Sequence, residues 1–145
     1  MKTRAGGRRG FTLIEVLVVI LVLGVLAGLV VPNVFSHVST AKRAAARSQI
    51  ELLGAALDAY RLDNGMYPST EQGLEALRRE PLMEPRPPNW HGPYLRKEVP
   101  NDPWGRPYIY RSPGLATSWG YDLLTYGRDG REGGTGEDAD VKSWE

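Results

Sequence analysis

The sequence predicts an α+β protein. One long N-terminal helix, apolar in its first half and amphipathic in its second, is packed by a small C-terminal domain that holds a short helix and a small antiparallel β-sheet. Three observations carry this. Phe11 to Val31 is a run of twenty-one residues in which Glu15 is the one charge. Asn33 to Leu62 then keeps a helical period with apolar residues on one face. Beyond it, two short Tyr-rich apolar segments are separated by a loop of Ser, Gly and Pro, as in a small antiparallel sheet.

The first element begins after four basic residues, Lys2, Arg4, Arg8 and Arg9. At about 1.5 Å rise per residue the apolar run spans roughly 30 Å, the thickness of a bilayer's hydrocarbon core. It therefore predicts a membrane-spanning helix, with the basic end on the cytoplasmic side. A secretory signal peptide fits poorly, because the run is longer than its usual apolar region of about 7–15 residues and no Ala-x-Ala-like cleavage site follows. A plain anchor fits the length and leaves Glu15 unexplained. A carboxylate at the centre of a spanning helix costs about 2.5–3.5 kcal/mol and less near the interface, so a partner for it is expected.

The helix is expected to continue past the membrane surface. Pro32 removes a hydrogen bond in the helix interior, and Gly24 and Gly28 lie shortly before it, which makes residues 24–32 the weak part of the rod. From Asn33 onward Ile50, Leu53, Leu57 and Tyr60 share a face, with Ala46, Ala56 and Ala59 beside them. Lys42, Arg43, Arg47, Glu51, Asp58 and Arg61 occupy the other. Asp63-Asn64-Gly65 followed by Pro68 marks the end, with Gly65 suited to a left-handed cap. A short second helix is expected from about Glu71 to Arg78, capped by Ser69 or Thr70. Pro81 to Pro93 carries five prolines and reads as an extended loop. Asp102-Pro103-Trp104-Gly105 has the residue preferences of a turn. Strands follow at about Pro107 to Arg111 and Gly120 to Thr125. Trp90, Trp104, Trp119 and Trp144 are expected to be core and turn caps.

Composition narrows the function. Net charge is +1 and, apart from the leader, the basic residues are scattered, so no nucleic-acid footprint is visible. There is no cysteine, and a domain outside the inner membrane must then be held without disulfides. His37 and His91 lack the spacing of a zinc pair. Neither a phosphate-binding loop nor a Ser nucleophile elbow is present, and nothing in the sequence asks for an enzyme.

Gly10-Phe11-Thr12-Leu13-Ile14-Glu15, after a short basic leader and before a long apolar helix, resembles the prepilin signature shared by type IV pilins and the pseudopilins of type II secretion. Tyr67-Pro68-Ser69-Thr70-Glu71-Gln72-Gly73-Leu74-Glu75-Ala76-Leu77 is similar to the pseudopilin segment Y-P-T-T-E-Q-G-L-E-A-L. Pro100-Asn101-Asp102-Pro103-Trp104-Gly105-Arg106-Pro107-Tyr108 is similar to P-x-D-P-W-G-N-P-Y. The resemblance implies a pilin-like fold. It further implies cleavage between Gly10 and Phe11 by a prepilin peptidase and N-methylation of Phe11. The domains would be a leader over residues 1–10, a transmembrane and fibre-core helix over 11–32 and a periplasmic globular domain over 33–145. In the assembled homopolymer Glu15 would pair with the α-amine of a neighbour's Phe11. The implied role is the major structural subunit of a periplasmic fibre. It would act with minor pseudopilins and an inner-membrane assembly platform, and indirectly with a secretin and exported proteins. A type IV pilin for adhesion or motility, and a monomeric membrane-anchored calcium-binding module, are the alternatives.

The one acidic constellation lies in residues 126–141. Carboxylates alternating with glycines suit Ca²⁺, which takes six to eight oxygen ligands. Taken alone, this composition favours a solvated acidic loop held open by glycine. The stretch also resembles the pseudopilin ending L-G-A-D-G-x-x-G-G-x-G-x-x-A-D-I-x-x-W, with Tyr126 in place of Leu and Arg128 in place of Ala. That resemblance implies a calcium site with Asp129 and Asp140 as side-chain ligands, the Tyr126 carbonyl, and one of Glu137 or Asp138.

Overall fold

A computed structural model of the chain describes residues 10–145, without the side chains of residues 29–36. Residues 1–9 of the predicted leader 1–10 lie outside the described residues, as do the side chains of the C-terminal part of the predicted weak segment 24–32. The chain divides into two compact units, Met1–Val38 and Ser39–Glu145.

Helix α1 spans Leu13–Asn64. In the first unit every large hydrophobic from Phe11 to Leu26 is exposed, between 47% and 87%. Among the described residues no helix is long and apolar enough to cross a membrane. The predicted span Phe11–Val31 lies partly outside them, because its last three side chains are not described.

In the second unit the periodicity plays out as expected. Ala46, Ile50, Leu53, Leu57 and Tyr60 recur at alternating four- and three-residue steps and are all at most 3% exposed. They pack with Leu74, Ala76, Leu77, Tyr108, Tyr110, Leu123 and Val141 into one core. Each fully buried Leu contributes roughly 1.5–3 kcal/mol of transfer free energy, so this seam is the main reason the domain adheres to its helix. Ala56 is buried too, whereas Ala59 is only half-buried. Gly65 ends the helix with φ 75°, donating its N–H to the Arg61 carbonyl at 2.7 Å. Beside it the buried Asn64 donates to the Tyr60 carbonyl (2.8 Å) and accepts from the Asn89 N–H (3.1 Å), which ties the proline-rich loop to the helix end.

The second helix is shorter than the sequence suggested. Ser69 and Gln72 form a reciprocal cap, Gln72 N–H to Ser69 Oγ at 3.2 Å and Ser69 N–H to Gln72 Oε1 at 2.9 Å. Gly73 then adopts φ 61°, which no α-helix continues, and only a 3₁₀ turn, Leu74–Leu77, follows. Thr70 is not the cap. Its hydroxyl bridges to Ser112, donating to the carbonyl and accepting from the N–H.

Strands β1 (Ile109–Arg111), β2 (Asp122–Thr125) and β3 (Val141–Lys142) form an antiparallel sheet in the order β1-β2-β3. Tyr110 pairs with Leu123, and Thr125 with Val141. The central strand β2 is buried at all four positions. β3 was not legible in the sequence, since two residues show no alternation.

Asp102 organises the turn before β1. Its Oδ1 accepts from the Trp104 and Arg106 N–H groups (3.0 and 2.8 Å), and its Oδ2 accepts from the Thr125 hydroxyl of β2. Asp122, 1% exposed, does the same for the β1–β2 connection, taking the N–H groups of Leu115, Ala116 and Thr117. Two of the four tryptophans depart from expectation. Trp90 and Trp104 pack against the core, but Trp119 is 96% exposed and Trp144 40% exposed. Trp119 sits on the loop whose far side is pinned by Asp122, so the loop's inner surface is spent on backbone hydrogen bonds and its tryptophan points outward.

Candidate functional site

Two places carry the residues singled out by the sequence. The first is the start of α1. Thr12 precedes the helix, and its Oγ1 accepts the N–H of Glu15 at 3.3 Å, while the Val16 N–H reaches the Thr12 carbonyl at 3.3 Å. Thr12 is therefore the N-cap, and Thr12-x-x-Glu15 has the spacing of a capping box. The first turn leaves N–H groups without intrahelical acceptors, and the helix dipole is positive there. Glu15 thus sits where a carboxylate is best tolerated, within one turn of Phe11 and the Gly10–Phe11 bond.

The second place is the loop after β2. Gly127 is required at its start: with φ 67°, a Cβ there would fall 2.8–2.9 Å from the carbonyl oxygens of Glu137, Asp138 and Ala139. Three backbone carbonyls therefore converge on the first turn of the loop. Asp140, 8% exposed, accepts the Gly133 N–H at 3.1 Å to each oxygen, and the Lys142 ammonium stands 3.9 Å away. That is thin compensation for a buried carboxylate. Asp129 is exposed, its Oδ1 taking the Arg131 N–H at 3.1 Å. An all-oxygen donor set with a poorly neutralised buried carboxylate fits a hard cation. Among the described residues no group of three or more His, Asp and Glu side chains is placed to hold a metal ion.

Glu137 and Asp138 both pair with Arg128. Arg128 meets Asp138 with two parallel hydrogen bonds, Nε to Oδ1 at 2.9 Å and Nη2 to Oδ2 at 3.0 Å, and reaches Glu137 Oε2 at 3.2 Å. Two further guanidiniums hold the backbone. Arg43 Nη1 donates to the Gly136 and Ala139 carbonyls (2.8 and 2.9 Å), and Arg106 Nη1 to those of Gly127 and Arg128 (3.0 and 2.9 Å). Sequence reasoning missed this arginine framework. Arg43 lies more than ninety residues from its acceptors, and no local pattern announces such a pairing. Arg128 was visible only as a departure from the family ending.

Comparison with known proteins agrees with this anatomy. A family model described as "Type II secretion system (T2SS), protein G" matches residues 33–144, and one described as "Prokaryotic N-terminal methylation motif" matches residues 6–31. The chain is 51% identical to the type II secretion system core protein G of Pseudomonas aeruginosa over 136 residues, 94% of each chain. It is 48% identical to that of Vibrio cholerae, over 93% of this chain and 90% of the relative. The crystal structure of the major pseudopilin from the type 2 secretion system of enterohaemorrhagic Escherichia coli superposes with a TM-score of 0.65 at 40% identity, covering 79% of this chain and 96% of that one. The pilin-like α+β fold and the motifs of both ends thus point the same way, and the chain belongs to the type II secretion system protein G family, the major pseudopilins.

Proposed function

We propose that this chain is cut between Gly10 and Phe11 by a prepilin peptidase, methylated on Phe11, and polymerised from the inner membrane into a periplasmic homopolymer. The role is structural. Growth of the fibre on an inner-membrane platform, together with minor pseudopilins, pushes folded exoproteins toward the outer-membrane secretin.

One observation carries the reading: the surface of α1 that the chain itself leaves uncovered. The apolar residues from Phe11 to Leu26 present no polar face to water, so lipid, and after extraction other copies, must cover them. In the second unit a further seam faces away from the core. Ala41, Ala45, Ser48, Leu52, Ala55, Ala59 and Leu62 recur at steps of four and three, none is charged, and Leu52 and Leu62 are 61% and 86% exposed. Such spacing presents small and apolar side chains along one stripe, as helices that pack on helices do.

Covalent cross-linking of cells should give a ladder of oligomers. Leu52→Asp should shorten it to dimers or monomers while leaving the melting temperature of the domain within about 2 °C of wild type, since an exposed substitution costs roughly 0.5 kcal/mol or less. An unaltered ladder would count against this seam as the assembly surface, and the absence of a ladder in wild type would leave a monomeric anchor.

Calcium is part of the same reading. Asp129 and Asp140, with the carbonyl of Tyr126, are the ligands we assign. A bound Ca²⁺ would neutralise the buried Asp140 and close a loop that has no disulfide to close it. Binding confined to the folded state adds to its stability.

A further inference from the structure

We infer that Arg128 is a built-in counter-cation of the C-terminal loop, which holds Glu137 and Asp138 away from a bound divalent cation and so sets the chain's calcium affinity low. The inference rests on the calcium reading above and deepens it.

The geometry is that of a fork on a carboxylate. Arg128 engages both oxygens of Asp138 and one of Glu137, and the attraction of those two carboxylates raises the guanidinium's own pKa. Planar bidentate pairing is the arrangement in which arginine competes best for a carboxylate, and it leaves both Asp138 oxygens facing the guanidinium. Arg128 also lies next to Asp129 in sequence, and its own carbonyl is tied down by Arg106. A cation entering at Asp129 and Asp140 therefore meets a positive charge beside it. It also finds the two carboxylates that could complete its shell already taken.

Calcium sites tune their affinity through the number of charged ligands and the rigidity of the loop. Arg128 acts on both. It subtracts two carboxylates from the ligand pool, and it fixes the loop before any metal arrives. Arg43 and Arg106 act only on rigidity, because they bind carbonyls and leave every carboxylate free. The expected consequence is a loop that is ordered at low calcium and responds weakly to added calcium.

The test is calcium titration by calorimetry on the full-length chain in detergent, with thermal melts in chelator and in saturating Ca²⁺. The wild type, Arg128→Ala, Arg128→Gln and Asp129→Ala are compared. Removing one adjacent positive charge and releasing two carboxylates should tighten binding on the order of ten-fold. In chelator Arg128→Ala should melt below the wild type, and saturating Ca²⁺ should close that gap. Arg128→Gln keeps hydrogen-bonding capacity without charge. It should shift affinity in the same direction, and it replaces the alanine variant should that fail to fold.

Unchanged affinity in the Arg128 variants, with melting lowered equally in chelator and in calcium, makes Arg128 a structural clamp alone and overturns the inference. The calcium reading still stands in that case if the wild type binds and Asp129→Ala does not. Should neither the wild type nor the Arg128 variants bind, both ideas fall together. A silent wild type beside a calcium-binding Arg128→Ala supports the inference in its strongest form.

Discussion

Glu15→Ala is expected to abolish fibre assembly while cleavage between Gly10 and Phe11 continues. The carboxylate sits in the first turn of an apolar helix whose N-cap is Thr12, among exposed hydrophobics. In the proposed fibre the apolar surroundings still leave that charge in want of a partner, and cleavage would supply one: the new α-amine of Phe11 on an adjacent copy. Removing one member of a desolvated ion pair costs about 3–5 kcal/mol, because the other charge is left uncompensated. At each subunit addition that is a factor of roughly 10²–10⁴ against docking. Glu15→Gln should behave like the alanine variant, since size is kept and charge lost. The measurements are fibre yield after shearing and the N-terminal mass of the membrane form. Wild-type fibre yield from either variant would contradict the docking role, and loss of cleavage would shift Glu15 from assembly to recognition by the peptidase.

The second large effect belongs to Asp122. Burial by itself would raise its carboxyl pKa, but the N–H groups of Ala116, Leu115 and Thr117 favour the charged form more strongly, and the folded value lies below the ordinary 3.8. Asp122→Ala strands three backbone donors beneath the loop that carries Trp119. At about 1–3 kcal/mol for each unsatisfied group, partly relieved by water, a loss of roughly 3–5 kcal/mol is expected. That is on the order of 12–25 °C in melting temperature for a domain of this size. Asp122→Asn should cost less. Its carbonyl oxygen can keep the Leu115 and Ala116 donors, while its NH₂ group opposes the Thr117 N–H.

The pH dependence follows from the depressed pKa. The folded state binds this proton less readily than the unfolded chain, so the contribution is complete above the unfolded value near 4 and is lost as pH falls through the folded pKa. Thermal melts between pH 7 and pH 2 should show the wild type converging on Asp122→Ala at the acid end. Parallel curves for the two proteins over that whole range would refute the carboxylate's role.

What could be read from the chain alone follows the range of each interaction. The buried seam from Ala46 to Tyr60 was legible because period and hydrophobicity coincide there. The Asp102 turn was legible because Asp, Pro and Gly specify it within four residues. The opposite seam from Ala41 to Leu62 was not, since alanine and serine carry little hydrophobic signal and the charged residues between them draw attention away. Asp122 reads as a lone acid at a strand start, and its donors lie on a loop that only the sheet brings back. Gly73 cut short the second helix through a positive φ, which its neighbours do not reveal. In the C-terminal loop the carboxylates were visible and their arginine partners were not. Arg43 meets the loop only because the core seam of α1 packs it there.

The family assignment accounts for the two rivals differently. An adhesive type IV pilin shares the N-terminal signature, but the match over residues 33–144 is to protein G of type II secretion. A monomeric anchored calcium module would need no freed amine opposite Glu15, so processing is where it parts from a fibre subunit.

Intact-protein mass spectrometry of assembled filaments reads that step directly. Subunits should have lost Met1 to Gly10 and gained a single methyl group on Phe11. Functional filaments built from subunits that still carry the basic leader would leave Glu15 without its amine and contradict the account.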